Sequence, residues 1–367
     1  MMNTKKQTLI RKLCAVALAA AMLTGTGFTT IGTYTGTNLT VNAASTATIV
    51  ESGECGENVT YTLDSEGTLT ISGKGDMYDD DWDHRSPFKN KNTIKKIVIK
   101  NGVTGIGHYA FFGCTALTTV TIPSSITKIG DFAFYKCTAL TGVTIPGSVT
   151  KVGNYAFMNC ESLKTVKLNN GVEYIGEYAF HQCSFTALSI PSSVISIGRF
   201  DNGCIEGLAF VYPVGVLGRC PNLKTITVDA ANTKYSSKDG VLLNKTLTEL
   251  ICCPGAKVGT YQIPGTVTNI QYAAFSGCRA LTDVTIPNSV TAIESGAFYD
   301  CTALTNVTVP DSVTEIKWLA FGYYLEPDGW DDKVMKNFTI TGKAGSVAET
   351  YAKENDFNPN GQEVPHL

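Results

Sequence analysis

"CTALTTVTIPSSITKIGDFAFYK" (Cys114–Lys136) is followed without a gap by "CTALTGVTIPGSVTKVGNYAFMN" (Cys137–Asn159) and "CESLKTVKLNNGVEYIGEYAFHQ" (Cys160–Gln182). The unit returns as "CRALTDVTIPNSVTAIESGAFYD" (Cys278–Asp300) and "CTALTNVTVPDSVTEIKWLAF" (Cys301–Phe321). Cys114, Cys137, Cys160 and Cys183 stand 23 residues apart, as do Cys278 and Cys301. A fixed period of this length is the mark of a solenoid, in which one small unit stacks on the next.

Within a unit, Leu117, Val120 and Ile122 form an apolar pattern that ends in alternation with Thr119 and Thr121, which predicts a short strand with one side buried. Pro123, like Pro146, Pro191, Pro287 and Pro310, ends it by removing a ladder donor. Ile126 and Ile129 then turn the chain inward, Gly130 is expected to permit the corner, and "FAF" (Phe132–Phe134) fills the interior. One unit cannot bury its own edge, so units stack at about 4.8 Å into a parallel sheet over a continuous core.

The recurring L-x-x-V-x-I-P-x-S-V-T-x-I-G-x-x-A-F-x-x-C resembles the BspA-type leucine-rich repeat over nearly the whole chain after its first residues. The resemblance implies a curved leucine-rich-repeat solenoid, mainly β, with stacked parallel strands and short turns or helical segments on the convex side. It also implies an exported, usually bacterial, surface or secreted protein, associated with adhesion and binding rather than catalysis.

The ends differ from the repeats. Lys5, Lys6, Arg11 and Lys12 precede the apolar run Leu13–Leu23, too short to span a bilayer, and "VNAAS" (Val41–Ser45) offers a cleavage site, so residues 1–43 read as a signal peptide. Its removal takes four basic and no acidic residues and moves the net charge from −3 to −7. A mildly acidic exported chain without basic clusters argues against nucleic acid or anionic membrane as partner, and no transmembrane segment is expected in the mature chain. Residues 44–93 are expected to cap the N-terminus through a hairpin at Val59–Gly73 around "DSEG". Residues 94–324 hold the repeats, irregular over 183–278, where "YSSKDGVLLNKTLTELICCP" (Tyr235–Pro254) reads as a hairpin-like insertion. Residues 325–367 carry a C-terminal loop and a capping helix, with Ser346 and Glu349 in capping-box spacing and Val347 and Tyr351 on one face. A sortase-type ending and a C-terminal apolar tail are missing from this sequence, so any surface retention is expected to be non-covalent.

Chemistry is sparse. The repeated cysteines occupy one position per rung and read as a reduced packing ladder, with some cross-rung oxidation as the alternative. Cys55, Cys204, Cys252 and Cys253 lie outside it with open redox state. Cys-x-x-Cys spacing, a phosphate loop, a dinucleotide glycine pattern and a Gly-x-Ser-x-Gly elbow are all missing, so neither metal nor cofactor is expected. His108 and His181 read as surface or satisfied turn residues, which leaves no base for a nucleophile. The acidic–aromatic stretches "DMYDDDWDHR" (Asp76–Arg85) and "YYLEPDGWDD" (Tyr323–Asp332) read as solvated loops before sugar or calcium sites.

The expected working surface is the exposed, concave side of the strands. By alternation it carries Thr119, Thr121, Gly142, Thr144, Thr165, Lys167, Thr225, Thr227, Asp283, Thr285, Asn306 and Thr308. An ice-binding sheet would need an unbroken threonine array, which Gly142, Lys167, Asp283 and Asn306 interrupt. The sequence therefore predicts a secreted or surface interaction module that binds an extracellular protein or glycan through this face and the inserted loops. A structural scaffold without a ligand is the alternative, and an enzyme fits least.

Overall fold

The apolar side of each short strand has only one place to go, the space between two ladders of parallel strands. The computed structural model describes residues 47–79, 86–198, 215–325 and 332–359, and the elements below belong to the compact unit Ile49–Leu367. The predicted signal segment lies outside the described residues.

The first ladder stacks Lys96–Ile99, Thr119–Thr121, Gly142–Ile145 and Thr165–Leu168 in parallel. It resumes with Ala187–Ile190 on Thr225–Val228, Val258–Gln262 on Ala280–Thr285, and Asn306–Thr308 on Thr339–Thr341. A second ladder of shorter strands runs beside it: Val103–Ile106, Lys128–Ile129, Lys151–Val152, Tyr174–Ile175 and Ser196–Ile197. Ile129, Val152 and Ile175 point from it into the core. The third side of each rung is a run of turns, and the one helix among the described residues is Val347–Glu354.

Between the ladders, Phe88, Phe111, Phe134, Phe157 and Phe180 stack with centroids 5.0 to 5.6 Å apart. Phe275, Phe298 and Phe321 repeat the column at 4.6 and 4.7 Å. The cysteines line the same core, and most ladder thiols donate to the carbonyl of a phenylalanine in the preceding rung, while Cys278 donates to Pro254 O at 3.6 Å. Cys114, Cys137, Cys160, Cys183 and Cys301 reach Phe88, Phe111, Phe134, Phe157 and Phe275 at 3.1 to 3.3 Å. Cys220 joins the column on Phe180 at 3.1 Å, across the 183–220 irregularity. All ten described cysteines, Cys55, Cys252 and Cys253 included, are free thiols.

Gly130 is needed for a different reason from the one its corner position suggests. Its φ is not left-handed, but a Cβ there would come within 2.5 Å of the His108 backbone nitrogen. Gly153 and Gly176 pack as tightly on the rung before them. The left-handed bends fall instead on Phe132, Tyr155 and Tyr178, and on Lys136, Asn159 and Gln182, all with φ between 55° and 61°.

The N-terminal hairpin is present, Val59–Asp64 against Thr68–Gly73, with Ile49–Gly56 as a further antiparallel strand outside it. Thr68–Gly73 then pairs in parallel with Lys96–Ile99, so the cap flows directly into the ladder. At the other end Tyr351 and Ala352 bury against the last rung. The capping box does not form: Glu349 accepts the N–H of Gly345, one residue before the N-cap, at 2.6 Å, the Ser346 N–H donates to Lys343 O, and the Ser346 hydroxyl caps nothing.

The Tyr235–Pro254 stretch is a hairpin but not a protruding decoration. Tyr235–Lys238 pairs antiparallel with Val241–Asn244 through Asp239 and Gly240, at φ 54° and 77°. Val241–Asn244 in turn pairs with Glu249–Cys252, which restarts the second ladder on Asn269–Ile270. Its side chains serve two cores. Leu242 packs with the N-terminal core, and Val241 and Leu243 with the C-terminal one.

Candidate functional site

Strand alternation gives the first ladder two unlike faces. Leu117, Ile97, Val143, Leu188, Ile226, Val284 and Val307 are buried, while Thr119, Thr121, Thr144, Thr165, Lys167, Thr227, Asp283, Thr285, Asn306 and Thr308 are exposed. Gly142 and Thr225 are half-buried. The parallel register lines these residues into columns: Lys96, Thr119, Gly142 and Thr165 face one another across successive strands, as do Thr144 and Lys167. Further on, Thr260 pairs with Asp283 and Gln262 with Thr285, and Asn306 and Thr308 pair with Thr339 and Thr341.

The structure adds members that alternation in the repeat consensus did not reach. Ala187 and Ser189 continue the face opposite Thr225 and Thr227. Thr260 and Gln262 lie on a strand with no repeat signature, and a bulge at Gly259/Thr260 leaves both Thr282 and Asp283 exposed.

Threonine in this chain does two separable jobs. Along the flanks, hydroxyls knit rungs together: Thr118 donates to Lys95 O at 2.9 Å, Thr127 to Thr104 O at 3.0 Å, and Thr291 and Thr314 to Thr268 O and Thr291 O at 3.2 Å. On the exposed face, the hydroxyls of Thr119, Thr121, Thr144, Thr227, Thr285 and Thr308 have no hydrogen-bond partner among the described residues. They remain available to a ligand.

The other candidates are consumed by structure. Asp76 accepts from Thr104 Oγ1 at 2.5 Å and pairs with Lys128 at 3.0 Å, and both contacts hold its carboxyl below the usual range. The rest of that acidic stretch, residues 80–85, and residues 326–331 of the second one lie outside the described residues, as do Cys14, Cys204, His84 and His366. His108 Nδ1 accepts the Asp131 N–H at 2.9 Å, one step of a side-chain ladder that continues from Asp131 to Asn154 and Asn154 to Glu177, each at 2.8 Å. His181 is not on the surface but 2% exposed, where burial and then the Arg219 charge push its pKa down to about 3. Among the described residues neither imidazole hydrogen-bonds a hydroxyl or thiol, although the Cys183 thiol donates to the His181 backbone carbonyl at 3.9 Å. Among the described residues no cluster of three metal-ligating side chains forms, and no helix is long and apolar enough to cross a membrane.

The comparisons agree with this architecture. A family model described as the BspA type leucine rich repeat region matches residues 84–202 and 252–326, in six copies. Among solved structures, a leucine-rich repeat protein from Eubacterium ventriosum is 26% identical with a TM-score of 0.60, covering 80% of this chain and 73% of that one. A leucine rich cell surface protein from Faecalibacterium prausnitzii is 22% identical with a TM-score of 0.56, covering 88% and 96%. The pneumococcal vaccine antigen PcpA is 16% identical with a TM-score of 0.50, covering 85% and 100%. No curated protein matches the sequence.

Proposed function

The chain belongs to the BspA-type leucine-rich repeat family, and on that premise we propose that it is an extracellular interaction module holding a protein or glycan on the exposed threonine face of its first ladder. The observation that carries this reading is the division of labour among threonines. Flanking hydroxyls are spent on rung-to-rung bonds, whereas those of Thr119, Thr121, Thr144, Thr227, Thr285 and Thr308 point outward unspent. Repeat arrays use such extended faces for binding because successive rungs present equivalent groups at one spacing. An extracellular setting is supported by the signal-like opening of the sequence and by likeness to a protein described as cell-surface.

The test is a panel of extracellular matrix proteins, glycans and cell surfaces probed with the purified chain, followed by Thr121→Glu and Thr144→Glu. Both positions are exposed, so folding should be unaffected, and any specific hit should weaken at least tenfold. Binding that survives both changes but is lost on altering the Tyr235–Asn244 hairpin would move the site off this face.

A further inference from the structure

We infer that the N-terminal half of the threonine face is a docking strip for an acidic polysaccharide, one bearing sulfate or carboxylate groups along its length. This rests on the interaction-module reading and specifies its ligand. The chain carries a net charge of −3, yet this face is cationic. From Lys96–Ile99 to Thr225–Val228 the exposed strand residues include Lys96 and Lys167 and no aspartate or glutamate. The residue preceding a strand forms a parallel column through backbone bonds from Thr118 to Lys95, Thr141 to Thr118, and Lys164 to Thr141, with Lys224 bonded to Thr186 further on. That column runs along the flank of the face and contributes Lys95, Lys164 and Lys224, all exposed.

None of these five lysines takes part in an ion pair among the described residues, whereas Lys91, Lys128, Lys317, Lys343 and Lys353 each do. The described carboxylates of the same rungs, Asp131, Glu161, Glu173, Glu177 and Asp229, lie off the strands of the first ladder, with Glu161 three residues before Lys164 and Asp229 directly after Thr225–Val228. At about 4.8 Å per strand, Lys96 lies three strands, roughly 14 Å, from Thr165 and its neighbour Lys167. Lys224 follows two strands beyond, roughly 10 Å. The cations are thus strung along the solenoid axis rather than gathered into a pocket, which suits a linear polymer.

Two features favour polysaccharide over acidic protein. Protein interfaces draw their affinity from aromatic or large apolar anchors, and the strand residues of this strip offer none beyond the half-buried Val98, since Val120 and Val166 pack against the core. Between the lysines it presents the free hydroxyls of Thr119, Thr121 and Thr144, which suit the alternating hydroxyls and anions of an acidic sugar chain.

The test titrates purified protein with dextran sulfate, neutral dextran and poly-glutamate. Dextran sulfate should bind, at least a hundredfold tighter than neutral dextran, and weaken steeply with added salt. The triple change Lys164→Gln, Lys167→Gln and Lys224→Gln should lower that affinity at least tenfold. The off-strip triple Lys74→Gln, Lys333→Gln and Lys336→Gln removes equal charge and should change it less than twofold. Absence of dextran sulfate binding, equal losses in the two triples, or poly-glutamate binding as tight as dextran sulfate would each overturn the inference. If the strip triple leaves binding of another ligand intact while Thr121→Glu abolishes it, the acidic-polysaccharide assignment fails and the interaction module stands.

Discussion

The ladder cysteines act as packing residues whose thiols make only weak hydrogen bonds to backbone carbonyls, and their chemistry follows from where they sit. Burial pushes the thiols of Cys114, Cys160 and Cys220 up to about 12 and raises Cys137, Cys183 and Cys301 well above the ordinary value. Only the thiolate reacts, so at pH 8 about one such thiol in ten thousand is in reactive form even before access is counted. Native protein should therefore resist iodoacetamide at these positions for as long as it stays folded, with full labelling on denaturation, read by mass spectrometry. Rapid native labelling of Cys160 would sink the packed-ladder account. The cysteine column was legible because identity and spacing repeat. The left-handed column beside it was not, because Gly113, Lys136, Asn159, Gln182, Arg219, Gly277 and Asp300 share a backbone shape but no chemistry. Gly130 misled for the converse reason, since its residue type announced a dihedral when the demand was space.

At the scale of elements, the repeating strands could be read from alternation, whereas the strand that joins the two cores could not. Val241–Asn244 is apolar on both sides, "VLL", because one side faces each core, and a run without alternation carries no facing information. Its turn was legible: Asp239-Gly240 supplies the two positive φ values that a tight antiparallel hairpin requires. Leu242 and Leu243 are both fully buried, so Leu242→Ala and Leu243→Ala should each cost about 2–5 kcal/mol in denaturant unfolding. Each change should loosen its own half first: hydrogen exchange should rise around Cys220 and Leu223 for Leu242→Ala, and around Ile270 and Phe275 for Leu243→Ala. The same exchange pattern from both variants would mean that the strand belongs to a single core. The second ladder escaped sequence reading because most of its strands are two residues long, as at Lys128–Ile129, shorter than any period can register.

Across the whole molecule, the weak point of the solenoid is the irregular passage between its halves, and there the structure depends on buried charge. Arg219 passes over Gly277, where a Cβ would meet its own Cγ at 3.1 Å, and pairs with Asp300 at 3.0 Å; Arg279 reaches the same carboxylate at 2.9 Å. Asp300 is fully buried, and such a pair holds a structure together only while every partner keeps its charge. His181 lies beside Arg219 with its Nδ1 unpartnered, held neutral by burial first and the arginine second, its pKa pushed down to about 3 from the ordinary 6.5. The sign follows from proton uptake: below pH 6.5 the unfolded chain binds a proton that the folded chain refuses. The stability contribution is therefore complete above pH 6.5 and lost as pH falls toward 3, at about 1.4 kcal/mol per pH unit. Comparing denaturant unfolding of the natural chain and His181→Gln at pH 7.0 and 4.5 isolates this effect, since the carboxylates titrate alike in both. The natural chain should lose about 2–3 kcal/mol more than the variant over that interval. Parallel losses would mean that His181 takes its proton in the folded state, and that water reaches the passage between the two cores.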